Sequence, residues 1–399
     1  MRGLIPVLLA AALLAPAAPP ASAAGEDDPA AAASGPESGS PANRVTDEHQ
    51  RAIDRGIAWL ASQQDDSGAF PTRPGTTGSG VNWKSADYQT AVTALATLAF
   101  VGAGHGLRHG PYRKKVRAGV NWLLKAQDDR SGYVSFTGDD QSKMHGHGYA
   151  TLALAEAYST ATAVEDKEAR SPDRPRGEED LEVEELSRRL KAGVQRAVRC
   201  IESSQSKTGG WGYTPVSGGT TDHEGSVTVC QVQALQAAMN RGFIVSLESV
   251  QRARRYMQES QVKSGAFLYR LGDRDNLQTN YSWPLAAAGA VSLLGLAEYD
   301  RKAAFDKAME FLERARRPSP GANYYYYGSF YAVQAYHWVG GDRWERYWGP
   351  LRGSLLREQG RNGAWDGQDT QVSLGPVYPT ALCLLMLEVP VGYLSIYAK

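Results

Sequence analysis

Two short runs of this chain supply histidine and carboxylate side chains. They are His145-Gly146-His147 and Asp222-His223-Glu224. Imidazole nitrogens and carboxylate oxygens are ligands for divalent metals, and a carboxylate beside a histidine can also form an acid/base pair. The structural alternative is that the carboxylates stabilise a helix N-terminus while the histidines hydrogen-bond locally. We therefore take Asp222, His223 and Glu224 as catalytic candidates, predict no cofactor and leave a divalent metal open.

Aromatic residues are concentrated in segments that lead into apolar stretches. The candidates for lining a ligand cavity share this position: His145, His147, Tyr149, Tyr281, Trp283, Tyr326, Tyr327 and Tyr378. Apolar walls with a few polar groups are typical of a small-molecule site. Aromatic faces could stack on sugars or surround an apolar chain. The other interpretation is that these rings only fill the interior of the protein.

A repeated motif indicates the elements that position these residues. Four copies begin at Gln64, Gln205, Gln261 and Gln359. Each of these glutamines is followed by glycine four residues later and by an aromatic residue six residues later. Gln127 begins a looser copy, and Pro318 and Pro320 replace the motif after Arg316. We expect the glutamine to bond backbone groups at the helix end and the glycine to form a left-handed turn, which is a stabilising role.

An amphipathic stretch precedes each motif, and a more apolar, Ala-rich stretch follows it. The predicted first helices span 48–64, 112–127, 183–205, 246–261, 301–316 and 344–359. The predicted second helices span 87–102, 147–161, 225–241, 281–298, 325–339 and 377–394. Amphipathic helices expose one face to water, whereas helices that are apolar nearly all round are buried. Six such pairs predict an all-α closed double ring, with an open superhelix or two separate helical domains as alternatives.

Composition limits the classes of function. The 43 Lys and Arg residues balance 43 Asp and Glu residues, so no long-range field attracts nucleic acid, and we predict none as a partner. The 3 cysteines are too few for a disulfide scaffold or for a zinc site of the C-x-x-C type. Cys230 and Gln233 have the spacing of a thioester pair, but both fall in a predicted buried helix and are expected in the core.

The N-terminal region predicts export. Residues 1–23 combine a basic start, an apolar run from Leu4 to Ala15 and small residues at the end, as in a secretory signal peptide. Residues 24–47 form an acidic Ala/Ser/Pro-rich linker that we expect to be disordered. The ring takes up 48–399, with a charged insertion at about 163–187. We expect a secreted, periplasmic or cell-envelope protein without a transmembrane helix after signal removal.

The motif also carries a resemblance to a known family. The stretches Trp59-Leu60…Gln64…Gly68-Ala69-Phe70 and Gln205…Gly209-Gly210-Trp211 resemble the QW, or prenyltransferase and squalene oxidase, repeat. On these residues the chain is identified as a member of the terpenoid cyclase and protein prenyltransferase superfamily over about 48–399. The resemblance implies an α6/α6 toroid like that of squalene cyclases.

The resemblance further implies reactive motifs that this sequence lacks. Asp273-Arg274-Asp275-Asn276 departs from the D-x-D-D motif whose middle Asp is the acid of squalene-type cyclases. Neither Asp128-Asp129 nor Asp139-Asp140 has the third carboxylate of a D-D-x-x-D magnesium motif, and no D-x-C zinc motif is found. We therefore expect neither standard cyclase nor standard prenyltransferase activity.

Three functions follow as hypotheses. The first is a squalene cyclase-like toroid that binds an apolar or isoprenoid small molecule in its cavity. The alternatives are a carbohydrate-active enzyme using the cavity carboxylates, and a non-enzymatic cell-envelope scaffold with a protein partner. The sequence leaves open whether the chain is an enzyme.

Overall fold

The computed structural model describes most of the chain from residue 45 onward. The described residues are 45–73, 75–76, 82–83, 87–137, 140–162, 177–216, 220–273, 282–296, 301–367 and 374–398. They belong to one compact unit. The signal peptide, nearly all of the linker and the insertion up to residue 176 lie outside these residues.

The described residues form twelve α-helices. In chain order they are α1 (Asp47–Gln63), α2 (Gln89–Gly102), α3 (Arg113–Lys125), α4 (Lys143–Thr162), α5 (Glu178–Ser203), α6 (Gly225–Asn240), α7 (Leu247–Ser260), α8 (Trp283–Gly295), α9 (Arg301–Arg314), α10 (Tyr325–Val339), α11 (Gly341–Glu358) and α12 (Val377–Glu388). A short antiparallel pair, β1 (Gly75–Thr76) and β2 (Asn82–Trp83), precedes α2. The helices match the predicted pairs with two main differences. α5 begins five residues before its predicted start, so residues 178–187 of the predicted insertion are helical. α12 ends six residues early because Pro390 lacks the N–H that a continuing helix needs.

The odd-numbered helices lie outside and the even-numbered helices inside. Every residue of α2 from Thr90 to Gly102 is buried, as expected for a helix that is apolar all round. By contrast, α7 buries one face, including Val250, Ala253 and Met257, and exposes the other. Within the described part of the chain, no helix is both long and apolar enough to cross a membrane.

The inner helices form a closed ring. Each packs on the next in the order α2, α4, α6, α8, α10 and α12, and α12 packs back on α2. The outer helix α1 also packs on α12, so the first and last helices of the ring are in contact. The predicted α6/α6 toroid is confirmed, and the open superhelix and the two separate domains are wrong.

The motif glutamines link successive outer helices. Each side-chain amide donates to the carbonyl of its own motif glycine and to a carbonyl of the following outer helix. Gln205 Nε2 donates to the carbonyls of Gly209 (2.8 Å) and Ser249 (2.9 Å). The Gln359 amide donates 2.8 Å to the Ala52 carbonyl of α1, so the same bond closes the outer ring.

The motif glycines and aromatic residues hold each turn against its neighbours. Gly265 has φ of 94°, and a Cβ there would overlap the Lys307 carbonyl of the next outer helix. The Trp211 ring is fully buried, and its backbone N–H donates 3.1 Å to Thr228 Oγ1 on the inner helix. The motif therefore has the stabilising role that the sequence predicts.

The two ends of the ring differ. At one end, called the mouth, all six inner helices begin. At the other end residues 389–398, called the tail, fold across the ring and pack on α6 and α10. Ser395 donates from its backbone N (3.0 Å) and its Oγ (2.6 Å) to Glu156 Oε1, while Arg241 pairs with Glu156 Oε2 at 2.6 Å. The tail thus closes the end opposite the mouth.

Candidate functional site

Backbone strain marks the mouth at three inner helices. Tyr88 precedes α2, Lys143 begins α4 and Tyr324 precedes α10, with φ values of 64°, 49° and 55°. A left-handed backbone costs a non-glycine residue about 1–2 kcal/mol, so the surrounding structure must hold these residues in place. Because such strain clusters at functional sites in proteins, the mouth is the first place to look for one.

Side chains that meet across the ring close its interior below the mouth. The Tyr149 hydroxyl of α4 lies 3.2 Å from the Tyr331 hydroxyl of α10, which stands opposite in the ring. Cys230 Sγ of α6 lies 3.6 Å from the same Tyr331 hydroxyl. Deeper still, Gln233 Nε2 donates 2.7 Å to Gln334 Oε1. Tyr149 and Tyr331 form a floor, and their Cα atoms lie about 9 Å below the helix starts, at 1.5 Å per residue.

Partly exposed side chains form the walls above this floor. The Tyr327 ring lies 4.8 Å from the Tyr331 ring, and its hydroxyl donates 3.4 Å to the Ser226 carbonyl. His145 Nε2 lies 3.1 Å from Ser226 Oγ, and burial lowers the pKa of His145 to about 4. Tyr378 of α12 lies close enough to interact electrostatically with Tyr327. These groups lie together at the mouth, and the surface that they form above Tyr149 and Tyr331 is here called the basin.

Glu224 is a buried carboxyl beside the basin. It precedes α6, and its side chain is 0% exposed. Its Oε1 accepts a 2.8 Å hydrogen bond from the Tyr213 hydroxyl, which lies 2.9 Å from the Tyr269 hydroxyl. Its Oε2 has no hydrogen-bond partner among the described residues. Burial raises the pKa of Glu224 to about 7, the neighbouring Asp222 raises it further, and the Tyr213 hydrogen bond and Arg270 oppose the shift.

The other two catalytic candidates do not join Glu224. His223 Nε2 accepts 3.0 Å from the Leu271 backbone N–H, so its Nδ1 carries the proton and donates 2.6 Å to the Thr221 carbonyl. Asp222 is exposed and lies against Gly212. His223 therefore joins two loops, and only Glu224 of this run is turned toward the basin.

His147 belongs to the ring wall. Its Nδ1 accepts 3.1 Å from the Val134 backbone N–H, and its Nε2 donates 3.3 Å to the Ala197 carbonyl. In three other repeats a threonine hydroxyl, of Thr93, Thr228 or Thr380, accepts the equivalent N–H. His147 thus takes the place of a structural threonine, and burial lowers its pKa to about 4.

Trp283 also serves the repeat and does not join the basin. Its indole Nε1 donates 3.1 Å to the Leu312 carbonyl, four residues before Arg316. Trp211 and Trp365 make the same bond to carbonyls four residues before their motif glutamines, those of Ile201 and Leu355. Trp283 therefore fills the place of the aromatic residue that the fifth repeat has lost.

The remaining predicted residues lie in different places. The Tyr326 hydroxyl is packed against Gly367, and Tyr281 lies outside the described residues, as do Asp139 and residues 274–276 of the Asp273 motif. Cys230 and Gln233 are buried in α6, as expected for core residues. In the portion of the chain that the structure describes, no three His, Cys, Asp or Glu side chains are grouped to hold a metal ion.

Tyr213 and Tyr269 are not among the residues predicted from the sequence, although a signal for both exists. Each stands four residues after a motif glycine, and each uses its carbonyl to cap an inner helix of the preceding repeat. The Tyr213 carbonyl accepts 3.0 Å from the Met144 N–H, and the Tyr269 carbonyl accepts 2.9 Å from the Gly225 N–H. The repeat thus places both phenols at the mouth.

Comparison with known proteins identifies the family of this ring. The profile of the prenyltransferase alpha-alpha toroid domain matches residues 42–335. No curated protein sequence matches the chain.

Solved structures share the fold at low sequence identity. The apo type II terpene cyclase MstE from Scytonema is 12% identical with a TM-score of 0.54, covering 88% of this chain and 100% of that chain. The GH76A α-1,6-mannanase from a Salegentibacter species is 8% identical with a TM-score of 0.53, covering 86% and 99%. A protein from Actinoplanes is 14% identical with a TM-score of 0.53, covering 86% and 99%. At these identities the likeness shows the fold alone.

Proposed function

The chain belongs to the prenyltransferase alpha-alpha toroid domain family, and we propose that it binds a small apolar molecule with one polar group in the basin. The observation that carries this proposal is the floor, where Tyr149 and Tyr331 meet 3.2 Å apart across the ring. A floor about 9 Å deep leaves room for a short apolar ligand at the mouth and no continuous channel for a long one.

The chemistry of the basin supports binding over cyclisation. Protonating an alkene requires an unusually strong acid, whereas the pKa of Glu224 is raised to about 7. Burial also raises the pKa of the Cys230 thiol to about 11, which leaves it a poor nucleophile. Phenol rings with a few polar groups instead give apolar contact area and hydrogen bonds, as binding sites do.

We propose a short isoprenoid as the ligand class. MstE has been solved with geranylgeranyl dihydroxybenzoate as its substrate and with merosterolic acid A as its product. Those ligands concern MstE, and the shallow floor leads us to propose a shorter chain here. Geraniol combines such a chain with one hydroxyl group and is a suitable probe.

The test is calorimetric titration of geraniol into the purified chain. We expect saturable binding with a negative heat-capacity change, because apolar surface is buried. Tyr327→Ala removes a wall of the basin and should weaken binding about tenfold, which is about 1.4 kcal/mol. Tyr393→Ala is the matched control, because Tyr393 is an exposed aromatic residue of the tail. Equal affinity in both variants would place the ligand elsewhere.

Carbohydrate binding is the second candidate. The mannanase likeness and the raised pKa of Glu224 favour it, since a glycosidase needs a carboxyl that is protonated near neutral pH. Such enzymes use two carboxyls, and Asp222 lies outside the basin against Gly212. Binding or cleavage of α-1,6-mannotriose without geraniol binding would favour this candidate. No binding of either would favour the envelope scaffold.

We also propose that the protein is exported. The apolar run from Leu4 to Ala15 and the small residues at 21–23 support this proposal. N-terminal sequencing of the protein recovered from its natural host should begin after residue 23. A protein that retains residue 2 in the cytoplasmic fraction would contradict export.

A further inference from the structure

Two phenols, those of Tyr213 and Tyr269, connect the buried Glu224 to the basin by hydrogen bonds. Glu224 Oε1 lies 2.8 Å from the Tyr213 hydroxyl, and that hydroxyl lies 2.9 Å from the Tyr269 hydroxyl. Glu224 is inaccessible to solvent, whereas Tyr213 and Tyr269 are both partly exposed. The two phenols therefore connect Glu224 to the mouth.

The direction of both hydrogen bonds depends on the Glu224 proton, because each phenol has one proton to donate. When Glu224 is a carboxylate, Tyr213 donates to it and Tyr269 donates to Tyr213. The Tyr269 oxygen then offers only lone pairs to the mouth. When Glu224 is neutral with its proton on Oε1, it donates to Tyr213, Tyr213 donates to Tyr269, and the Tyr269 O–H turns outward.

The unpartnered Oε2 of Glu224 decides where the proton of the neutral carboxyl lies. Oε2 is buried and makes no hydrogen bond with a described residue, although the Ser226 side chain lies close to the carboxyl and lowers its pKa. A buried donor without an acceptor is costly, whereas a proton on Oε1 has the Tyr213 oxygen as its acceptor. The neutral carboxyl thus favours the arrangement in which Tyr269 donates.

We propose that the Glu224–Tyr213–Tyr269 chain recognises the polar group of the ligand, and that this group is a hydrogen-bond acceptor such as a ketone or ester carbonyl. This inference rests on the proposed function of the basin. Burial favours the neutral carboxyl, and the pKa of Glu224 is raised to about 7. Above pH 7, binding of an acceptor ligand is coupled to the uptake of one proton by Glu224. An ammonium ligand instead favours the ionised carboxylate, in which the Tyr269 oxygen offers lone pairs.

Other titratable and charged groups surround these three residues. They are Asp222, Arg270, Lys143, His145, His223, Cys230, Tyr256, Tyr324 and Tyr327. Burial keeps the imidazole of His145 and the thiol of Cys230 uncharged near neutral pH. Lys143 Nζ lies 5.8 Å from the Tyr213 ring centroid. These groups also contribute to the pH dependence of ligand affinity. Contributions that are the same in wild type and variant cancel when the two affinities are compared at one pH.

The test compares two probes with the same prenyl chain by titration calorimetry. Geranylacetone offers a carbonyl acceptor, and geranylamine offers an ammonium donor. With the Glu224 pKa near 7, we expect geranylacetone to bind about 30-fold more weakly at pH 8.5 than at pH 5.5. Geranylamine should show the reverse trend. Buffers of different ionisation enthalpy should report uptake of about one proton per geranylacetone bound at pH 8.5.

Three variants separate this chain from general packing. Glu224→Gln has an amide that donates at every pH, so geranylacetone should bind at pH 8.5 as it does at pH 5.5. Tyr269→Phe removes the last hydroxyl and should abolish the pH dependence for both probes. Tyr325→Phe is the control, because this buried hydroxyl bonds no described residue, and the pH dependence should persist.

The outcomes distinguish this inference from the proposed function. If both probes bind with no pH dependence, the hydrogen-bond chain is wrong while the binding function stands. If Tyr269→Phe retains the wild-type pH profile, Tyr269 is not the contact group and the inference fails. If neither probe binds at any pH, the proposed function fails and this inference fails with it.

Discussion

Individual side chains determine which groups at the mouth are protonated. Glu224 is buried beside phenols, and burial disfavours its ionised form. Arg270 lowers the pKa of Glu224, but by less than burial raises it. The protein therefore holds a carboxyl that changes charge near neutral pH, at the position where a ligand would meet it.

This carboxyl should make the folded state less stable as the pH rises. Its pKa is about 7 in the folded chain against 4.5 for an unperturbed group, so the folded state binds more protons between these values. Stability therefore falls across pH 4.5 to 7, by at most about 3 kcal/mol, and stays reduced above pH 7. Thermal midpoints across this range should fall less in Glu224→Gln than in wild type. Glu310→Gln, an exposed carboxyl on α9, should follow wild type, and identical profiles for all three chains would contradict the assignment.

A second test at the residue scale concerns the threonines of the repeat. Thr93 Oγ1 accepts 3.1 Å from the buried Phe70 N–H, whereas the buried Thr97 Oγ1 on the same helix has no partner among the described residues. Thr93→Val should cost about 1–3 kcal/mol because it leaves the Phe70 N–H unpaired. Thr97→Val should be neutral or stabilising. Chemical denaturation measures both, and an equal loss in the two variants would refute the role of Thr93.

At the scale of helices, the sequence predicts most of the fold because its signals are local. Apolar periodicity and the glutamine–glycine–aromatic spacing are both visible within one repeat. The site is harder to predict because it depends on contacts between repeats. His147 and Trp283 look like cavity residues in the sequence, yet the side chain of each forms a hydrogen bond with a backbone group of another segment.

Different parts of the motif are predictable to different degrees. The expected left-handed glycine follows from a short-range rule about helix ends. The second partner of each glutamine, a carbonyl of the following outer helix, requires knowledge of the assembled ring. Tyr213 and Tyr269 are overlooked for the same reason, since their hydroxyls meet only after two repeats pack side by side.

The packing between repeats can be tested at a motif glycine. A Cβ at Gly265 would overlap the Lys307 carbonyl, and its φ of 94° is unfavourable for alanine. Gly265→Ala should therefore lower the free energy of unfolding by about 2–5 kcal/mol. Gly272→Ala is the control, because nothing lies within 4 Å of a Cβ there and φ is not positive. Equal stability of the two variants would show that the turns do not hold the outer helices together.

At the scale of the whole molecule, closure of the ring and closure of its interior are separate features. Contacts from α12 to α1 and α2 close the ring. The floor and the tail close the interior at two different depths, so that the mouth is the accessible end. The side chains that meet at the floor leave the basin at the mouth, where Tyr213, Tyr269, Tyr327 and Tyr378 are partly exposed.

Removing the tail should separate stability from ligand binding. Leu394, Ile396 and Tyr397 are buried in the tail, so a chain ending at Gly392 should lose on the order of 4 kcal/mol of stability. The Tyr149–Tyr331 floor lies between the tail and the mouth, and geraniol affinity should stay at the wild-type value at temperatures where the truncated chain is folded. Thermal unfolding and calorimetric titration of the same samples measure the two effects, with removal of Lys399 alone as the control. Loss of geraniol affinity in a folded truncated chain would mean that the ligand occupies the tail end of the ring, and the basin would then be the wrong site.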